Sequence, residues 1–325
     1  MYTVISNNEF SDINLDIILE KYVFGRYLED KSFDSIQSKA YLKDTLLDYV
    51  KNGVNEYLIA FDKNKDPQGI LLYRESKWDT DHFGYNVAII DHLITRQENY
   101  TSTVKISAAL LSSFDNWSQE KNIRFVSVKI PSQDLAVLHA VENKGFIYIE
   151  NWIYNNYDLK NLKEENKGEL QIRYGNDLDK EFMIKYSKGA FNTHRFHADT
   201  RIDVKKADSL YEKWIISAFD DPQQKVAVYD HEGIPTAFMI YYISDLTTYF
   251  KCKFAMWKMG LVNPELGHKG IGNKFVQSLF TFHKDENLDI IDSGLSIRNL
   301  PSLNWHNKLN FKITSTLVTF HKWYN

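Results

Sequence analysis

The chain has 325 residues, of which 43% are hydrophobic and 25% charged, and a formal net charge of -4. That is the balance of a folded chain long enough for two domains or one large one. It excludes a disordered protein and, with no Lys/Arg excess, one held on nucleic-acid phosphates. A single cysteine, Cys252, next to an apolar strand, excludes an internal disulfide framework and a cysteine-built metal cage and reads as a packed thiol.

In chain order, two helices are expected first, over Leu15–Tyr27 and Ile36–Lys51, where apolar residues recur every three or four positions. Strand-like runs follow at Tyr57–Phe61, Gly69–Tyr73 and Val87–Ile90, the first two joined by the turn-forming Asp62–Pro67. A helix over about Ser102–Glu120 leads to a strand at Phe125–Ile130 and then to the stretch Asp134–Phe146. The Lys/Glu/Asn-rich Asn161–Gly168 reads as an exposed connector.

The second half opens with a strand, Leu170–Tyr174, and a helix from about Asp177. Asn192–Asp203 is dense in functional side chains and precedes a helix over Lys205–Phe219. The runs Lys225–Tyr229 and Pro235–Tyr241 form a hairpin through Asp230–Gly233. An apolar strand, Phe254–Val262, then enters the glycine-spaced stretch Glu265–Asn273, and a helix leaves it from Lys274. A short strand, Leu288–Ile291, precedes Asn299–Phe311.

That last stretch repeats an earlier one. The 165 residues from Phe146 to Phe311 also separate Asp134 from Asn299, Leu135 from Leu300 and Leu138 from Leu303. Two related domains in tandem are expected, over 1–160 and 169–325, each α/β or α+β. They are unequally equipped: the first has no glycine in Thr95–Thr101, and Glu98 there would repel an anion. It is expected to keep the scaffold without the cofactor chemistry.

Strand, glycine loop and helix start together make an anion site, because residues without Cβ let the main chain approach a ligand. No Lys-Ser/Thr pair follows Gly272 and no G-x-G-x-x-G with a downstream acid appears, so the P-loop and dinucleotide patterns fail. A pyrophosphate loop and an ordinary glycine turn both remain open.

Gly267-x-x-Gly270-x-Gly272 resembles the pyrophosphate loop of GNAT N-acyltransferases, with Gly267 departing from its Gln/Arg position. Asn299–Phe311 resembles their N-x-x-A-x-x-L-Y-x-K-x-G-F signature, with Ser302, Trp305, His306 and Asn310 as departures. Arg195–Ile202 with Ala207–Ile215, Trp78–Gly84 and Thr319–Trp323 are similar to segments of the two-domain dTDP-fucosamine acetyltransferases. Of these, Trp78–Gly84 is read as bracing between domains.

The resemblance implies tandem GNAT-like domains, each a mixed, mainly antiparallel sheet flanked by helices. The implied reaction moves an acyl group, acetyl or a hydroxyacyl such as 3-hydroxybutyryl, from acyl-CoA to the amine of a dTDP-linked 3- or 4-amino-dideoxy sugar for surface polysaccharide. Transfer is direct, in a ternary complex, so it is mainly a matter of positioning. Main-chain groups of Gly260, Leu261 and Val262 would hold the pantetheine and face the oxyanion. Gly267, His268, Lys269, Gly270, Ile271, Gly272 and Asn273 would take the diphosphate.

In the same reading Asn299 opens the catalytic signature, and His306, where the family has tyrosine, would donate a proton to the leaving sulfur; a structural histidine is the alternative. Arg195, Phe196, Asp199, Tyr211 and Trp214 would meet the sugar nucleotide, with Trp214 as core the alternative. His197 or Asp199 would take the amine's proton, unless Asp199 is a helix cap. His194 and His197 lack a third ligand, so no metal is expected. The chain starts without a basic and apolar leader and has no long apolar run, so a cytoplasmic protein without membrane partners is expected; a homodimer is expected from the resemblance alone. Two other functions stay open: acylation of another small amine or a peptide, and non-catalytic acyl-CoA binding.

Overall fold

A computed structural model describes residues 2–6, 14–51, 56–163, 171–265 and 270–324. Gly267, His268 and Lys269, and most of the predicted connector, lie outside the described residues. The chain divides into two compact units, Met1–Trp152 with Ser315–Asn325, and Ile153–Thr314.

The elements of the first stretch are β1 (Thr3–Ser6), α1 (Leu15–Leu19), α2 (Ser35–Lys51), β2 (Glu56–Phe61), β3 (Pro67–Glu75), α3 (Lys77–Phe83), β4 (Val87–Thr95), α4 (Tyr100–Glu120), β5 (Phe125–Pro131), α5 (Leu135–Asn143) and β6 (Ile147–Asp158). There follow β7 (Ile172–Tyr174), α6 (Asp179–Ser187), α7 (Arg195–Ala198), α8 (Val204–Asp220), β8 (Gln224–His231), β9 (Ile234–Asp245) and α9 (Thr247–Phe250). The chain closes with β10 (Lys253–Val262), α10 (Ile271–Asp285), β11 (Ile290–Ser296), α11 (Leu300–Lys308) and β12 (Lys312–Trp323).

In the first unit the strands run β1-β2-β3-β4-β5-β12, antiparallel except for β4 with β5. In the second they run β7-β8-β9-β10-β11-β6, with β10 and β11 the parallel pair. This is the expected mixed, mainly antiparallel sheet flanked by helices. The boundaries differ from a division at 160 and 169: β12, at the end of the chain, pairs with β5 and buries Val318 and Phe320 in the first unit's core, while β6 lies beside β11. A single boundary near 160 therefore cannot divide the chain; a second is needed before Ser315.

Helix α10 shows how the pattern becomes packing. Ile271, Phe275, Val276, Leu279 and Phe280 fall on one face and are buried in a core shared with Ala255 and Trp257 of β10 and Ile291 of β11. Burying each such side chain contributes about 1.5–3 kcal/mol, which holds the helix against the strands that will form the site. In the first unit α4 does the same with Ile106, Leu110, Leu111 and Phe114.

The tandem repeat is visible in the backbone. Helices α5 and α11 start and stop at positions 165 apart. Asp134 caps the first by accepting from the Val137 amide, and Asn299 caps the second by accepting from that of Ser302. Past each helix one residue turns left-handed, Gly145 at φ 80° and Asn310 at φ 63°, and the next amide, Phe146 or Phe311, returns to Val141 or His306. Asparagine tolerates that conformation better than most residues, so Asn310 preserves the turn.

One expectation was inexact. The first helix stops at Leu19, where the Tyr22 amide turns back to the Leu19 carbonyl before Gly25 at φ 113°. The Trp78–Gly84 run lies in α3 (Lys77–Phe83) and its C-cap, Gly84 at φ 76°. Cys252 is buried, and burial pushes its thiol up to about 12, which suits a packed thiol.

Candidate active site

The sheet of the second unit opens at one point. Strands β10 and β11 pair in parallel from Phe254 and Ile290 to Trp257 and Ser293, and their pairing ends there, although β10 runs on to Val262 and β11 to Ser296. At that point Lys258 is an extra residue relative to β9, a β-bulge between Trp257 and Met259. A strict two-residue alternation would put Trp257 and Met259 on the same face. The bulge reverses it: Trp257 packs in the core beneath α10, and Met259 and Leu261 pack on the other side with residues of α8. Main-chain groups of Met259–Val262 that would continue the β11 ladder have no partner in that strand.

The glycines of this region serve different ends. A Cβ on Gly260 would come 2.5 Å from Met239 Cε and 3.3 Å from the Phe238 carbonyl, so that residue is small for packing. Gly270 is the N-cap of α10 in the left-handed region, φ 73°, where no side chain caps the helix. Among the described residues, a Cβ on Gly272 would meet only Val262, at 3.9 Å. The Asn273 and Lys274 amides turn back to the Gly270 carbonyl, and the Asn273 side chain accepts from Trp305 Nε1 at 3.4 Å. Among the described residues, the Ile271 and Gly272 amides are then the ones that open from the first turn, where the helix dipole favours an anion.

The first unit repeats the bulge, at Asp91, and the end of parallel pairing, at Ile90 and Val128, but closes its helix differently. Asn99 caps α4 by accepting from the Ser102 amide at 2.9 Å, and Arg96 pairs with Glu98 at 2.9 Å. An oxygen of the protein already sits where an anion would bind.

His306 is buried beneath the fork. Its Nδ1 lies 2.8 Å from the Ser302 carbonyl oxygen, which can only accept, so Nδ1 carries the proton. Nε2, 2.9 Å from Ser293 Oγ, therefore accepts from that hydroxyl. Burial holds the imidazole below its ordinary pKa, which favours this neutral tautomer. The expected donor thus has its one N–H on a main-chain carbonyl, and a hydroxyl stands at its other nitrogen. Asn299 is occupied as the α11 cap. Ser293 was not legible as a site residue, since only the register of β11 against β10 brings it here; Ser302, one helical turn before His306, had a local signal.

Around α7 and α8 the acceptor-side residues gather as aromatics. Tyr211 stacks on Phe191 at 4.6 Å and lies 5.3 Å from Trp214, with His194 and His197 at 6.1 and 6.2 Å. Tyr211, with Trp214 and Leu261 at the margin, shares a core with Met259, so α8 backs one face of the fork. The Arg195 guanidinium lies over the Phe196 ring at 4.6 Å, and Phe196 itself is buried. His197 Nε2 is held 2.9 Å from Asp208 Oδ1, a carboxylate the sequence did not single out.

Asp199 accepts both guanidinium contacts of Arg201, at 2.8 and 3.0 Å, which occupies the carboxylate. The cap of α8 is Asp203, not Asp199. Among the described residues no group of three His, Cys, Asp or Glu is placed to hold a metal, and no helix is long and apolar enough to cross a membrane.

A mainly antiparallel sheet in which the parallel pair β10 and β11 parts at a bulge, beside a helix that starts at a glycine, defines an α/β chain with the fold of the GNAT N-acetyltransferases. Solved structures bear this out at low identity. A GCN5-related N-acetyltransferase from Sphaerobacter thermophilus is similar with a TM-score of 0.57 and 11% identity, over 86% of this chain and 85% of that one. The GCN5-related glucosamine N-acetyltransferase region of a fungal multi-domain GH3 β-N-acetylglucosaminidase gives 0.58 and 12%, over 99% of this chain and 38% of that one. A GNAT-family acetyltransferase from Colwellia psychrerythraea gives 0.50 and 11%, over 89% and 97%. No protein-family model matches the sequence, and no curated protein matches it. What is shared is the fold.

Proposed function

We propose that the chain is an acyl-CoA-dependent N-acyltransferase, with the coenzyme held by the second unit. The observation that carries this reading is the contrast between two copies of one architecture. Both have a bulge and a parting strand pair, but the helix beside the fork is capped by Asn99 in the first and left without a side-chain cap at Gly270 in the second. Ile271 and Gly272 would take the diphosphate and Gly260–Val262 the pantetheine arm, as strand-like hydrogen bonding in the fork. The coenzyme supplies an activated thioester; the chain's work is to align it with an amine and exclude water.

For the acceptor we infer the amine of a dTDP-linked 3- or 4-amino-dideoxy sugar, made for surface polysaccharide. Support comes from the aromatic group around Tyr211 and Trp214, suited to a base or sugar, and from Arg195, whose guanidinium suits a diphosphate. His197, held 2.9 Å from Asp208 Oδ1, would take the first proton from an ammonium acceptor and leave the amine neutral for attack. An amino-sugar acceptor is also what the fungal neighbour's region is named for. Met259, packed beside the fork, is the side chain against which acetyl or a hydroxyacyl chain would be selected.

Calorimetric titration with CoA, followed by turnover of acetyl-CoA against a panel of dTDP-amino sugars, polyamines and peptides, tests the reading. Binding is expected, with CoA release on the sugars alone. Arg195→Ala should raise the acceptor KM and leave that of acyl-CoA unchanged; the reverse pattern removes Arg195 from the acceptor site. The engagement of both His306 nitrogens favours one rival, a non-catalytic acyl-CoA binder, which would bind CoA and release none from acetyl-CoA with any amine.

A further inference from the structure

We propose that Ser293 and His306 form one proton-carrying unit at the point where β10 and β11 part. In it the Ser293 hydroxyl receives the proton shed by the acceptor amine and hands one to the departing sulfur, and His306 Nε2 stores it between the two events. The proposal rests on the acyltransferase reading and deepens it, since it makes Ser293 the catalytic residue and His306 the residue that positions it.

Geometry comes first. Ser293 is the last residue of β11 paired with β10, opposite Trp257, so its hydroxyl stands at the fork. It is 2.9 Å from His306 Nε2, and the ring cannot turn freely. Nδ1–H is held by the Ser302 carbonyl at 2.8 Å, and Phe311 and Trp257 pack edge-on to the ring at 4.7 and 6.4 Å. The tautomer so fixed turns the basic lone pair toward Ser293.

The chemical balance needs nothing else. Amide formation makes a C–N bond and breaks a C–S bond, and one proton must leave nitrogen while one arrives at sulfur. Both atoms are attached to the same carbon during transfer, so one hydroxyl can serve both. As the amine's proton reaches Oγ, the serine's own proton passes to Nε2; the reverse step delivers it to sulfur and restores both residues. Burial, which disfavours the imidazolium, makes the stored proton easy to release.

A second observation shows that the fold does not require this pair. At the matching positions, 165 residues earlier, the first unit has Val128 and Val141, both fully buried, in the same strand and helix. Two valines satisfy the scaffold there. A hydroxyl and an imidazole have replaced both of them only in the unit whose helix lacks a side-chain cap.

The test uses the full chain carrying Ser293→Ala, and separately Ser293→Val with His306→Val, which copies the first unit and keeps the fold measurable. CoA binding by calorimetry is expected to stay within about 3-fold of wild type. The kcat should fall by about 100-fold or more, the usual scale for positioned proton transfer, with little change in either KM. Without any coenzyme, nitrogen NMR of the wild type should show the Nδ1–H tautomer of His306, and Ser293→Ala should move the Nε2 resonance. A kcat near wild type in a variant that binds CoA, or an Nε2–H tautomer in the wild type, overturns the proposal. Wild type that fails to bind CoA overturns the acyltransferase reading itself, and the proposal with it.

Discussion

Gly260 and Gly272, twelve residues apart by number, are small for opposite reasons, and substitution should separate them. Gly272→Asp adds a side chain whose Cβ would meet, among the described residues, only Val262, at 3.9 Å. A carboxylate at a helix N-terminus is favourable in itself, so stability should hold or rise slightly. A CoA diphosphate would meet that charge, and affinity by calorimetry should drop by at least about tenfold, or 1.4 kcal/mol; unchanged affinity would remove the α10 start from the site. Gly260→Ala instead places a methyl 2.5 Å from Met239 Cε and 3.3 Å from a carbonyl oxygen. Overpacking of this kind costs about 1–3 kcal/mol. Chemical denaturation should show that loss, and Met239→Ala added to it should recover part, since the obstacle is largely a flexible side chain.

The elements around the fork show which parts of the site were readable. Caps, left-handed turns and helix ends are local: Asp134 and Asn299, or Gly145 and Asn310, announce α5 and α11 from a few adjacent residues, so the repeat was legible. A bulge is defined by the strand opposite, and no feature of Lys258 itself says that β9 skips it. For the same reason Ser293 was invisible, and His306, correctly located, was read without its partners. A buried polar network behind Trp257 was hidden likewise. Trp257 donates to His283, His283 Nδ1 to Glu286, and Glu286 also accepts from Tyr241, Tyr174 and Lys225, at 2.6–3.1 Å.

Burial raises the Glu286 carboxyl, but its four donors outweigh that and hold it at about 2 against an ordinary 4.5; His283 stays neutral because burial outweighs the attraction of Glu286. A depressed carboxylate stabilises the fold above its unfolded pKa and loses that contribution as pH falls. Glu286 should therefore contribute on the order of 3 kcal/mol above pH 4.5, declining toward pH 2. Denaturation midpoints of wild type and Glu286→Gln should converge on acidification through that window. A constant difference between them would remove this origin of acid sensitivity.

On the scale of the whole chain, the first unit is not a continuous stretch: Met1–Trp152 is completed by Ser315–Asn325. It closes its sheet with β12, whose residues Leu317–Trp323 pair with Pro131–Phe125 and bury Val318 and Phe320 beside Val126 and Val128. Lys322 and Tyr324 both reach Asp115 at 2.6 Å. A chain ending at Thr314 would lose that strand and leave β5 as an exposed edge, which invites association. Burial of the two apolar side chains alone is worth about 3–6 kcal/mol, a large share of the 5–15 kcal/mol that a domain typically has. The truncated chain should therefore melt at a clearly lower temperature by circular dichroism, with the first unit's remaining tryptophans, Trp78, Trp117 and Trp152, changing emission at the early transition. Adding residues 315–325 back as a separate peptide should raise that transition. Residues 1–160 expressed alone should behave like the truncation, because the strand they carry at their own end, β6, lies beside β11 of the other unit and not beside β5. If instead 1–160 folded cooperatively with a melting temperature equal to the full chain's, the exchange of last strands would be dispensable, and the first unit would be a domain in its own right.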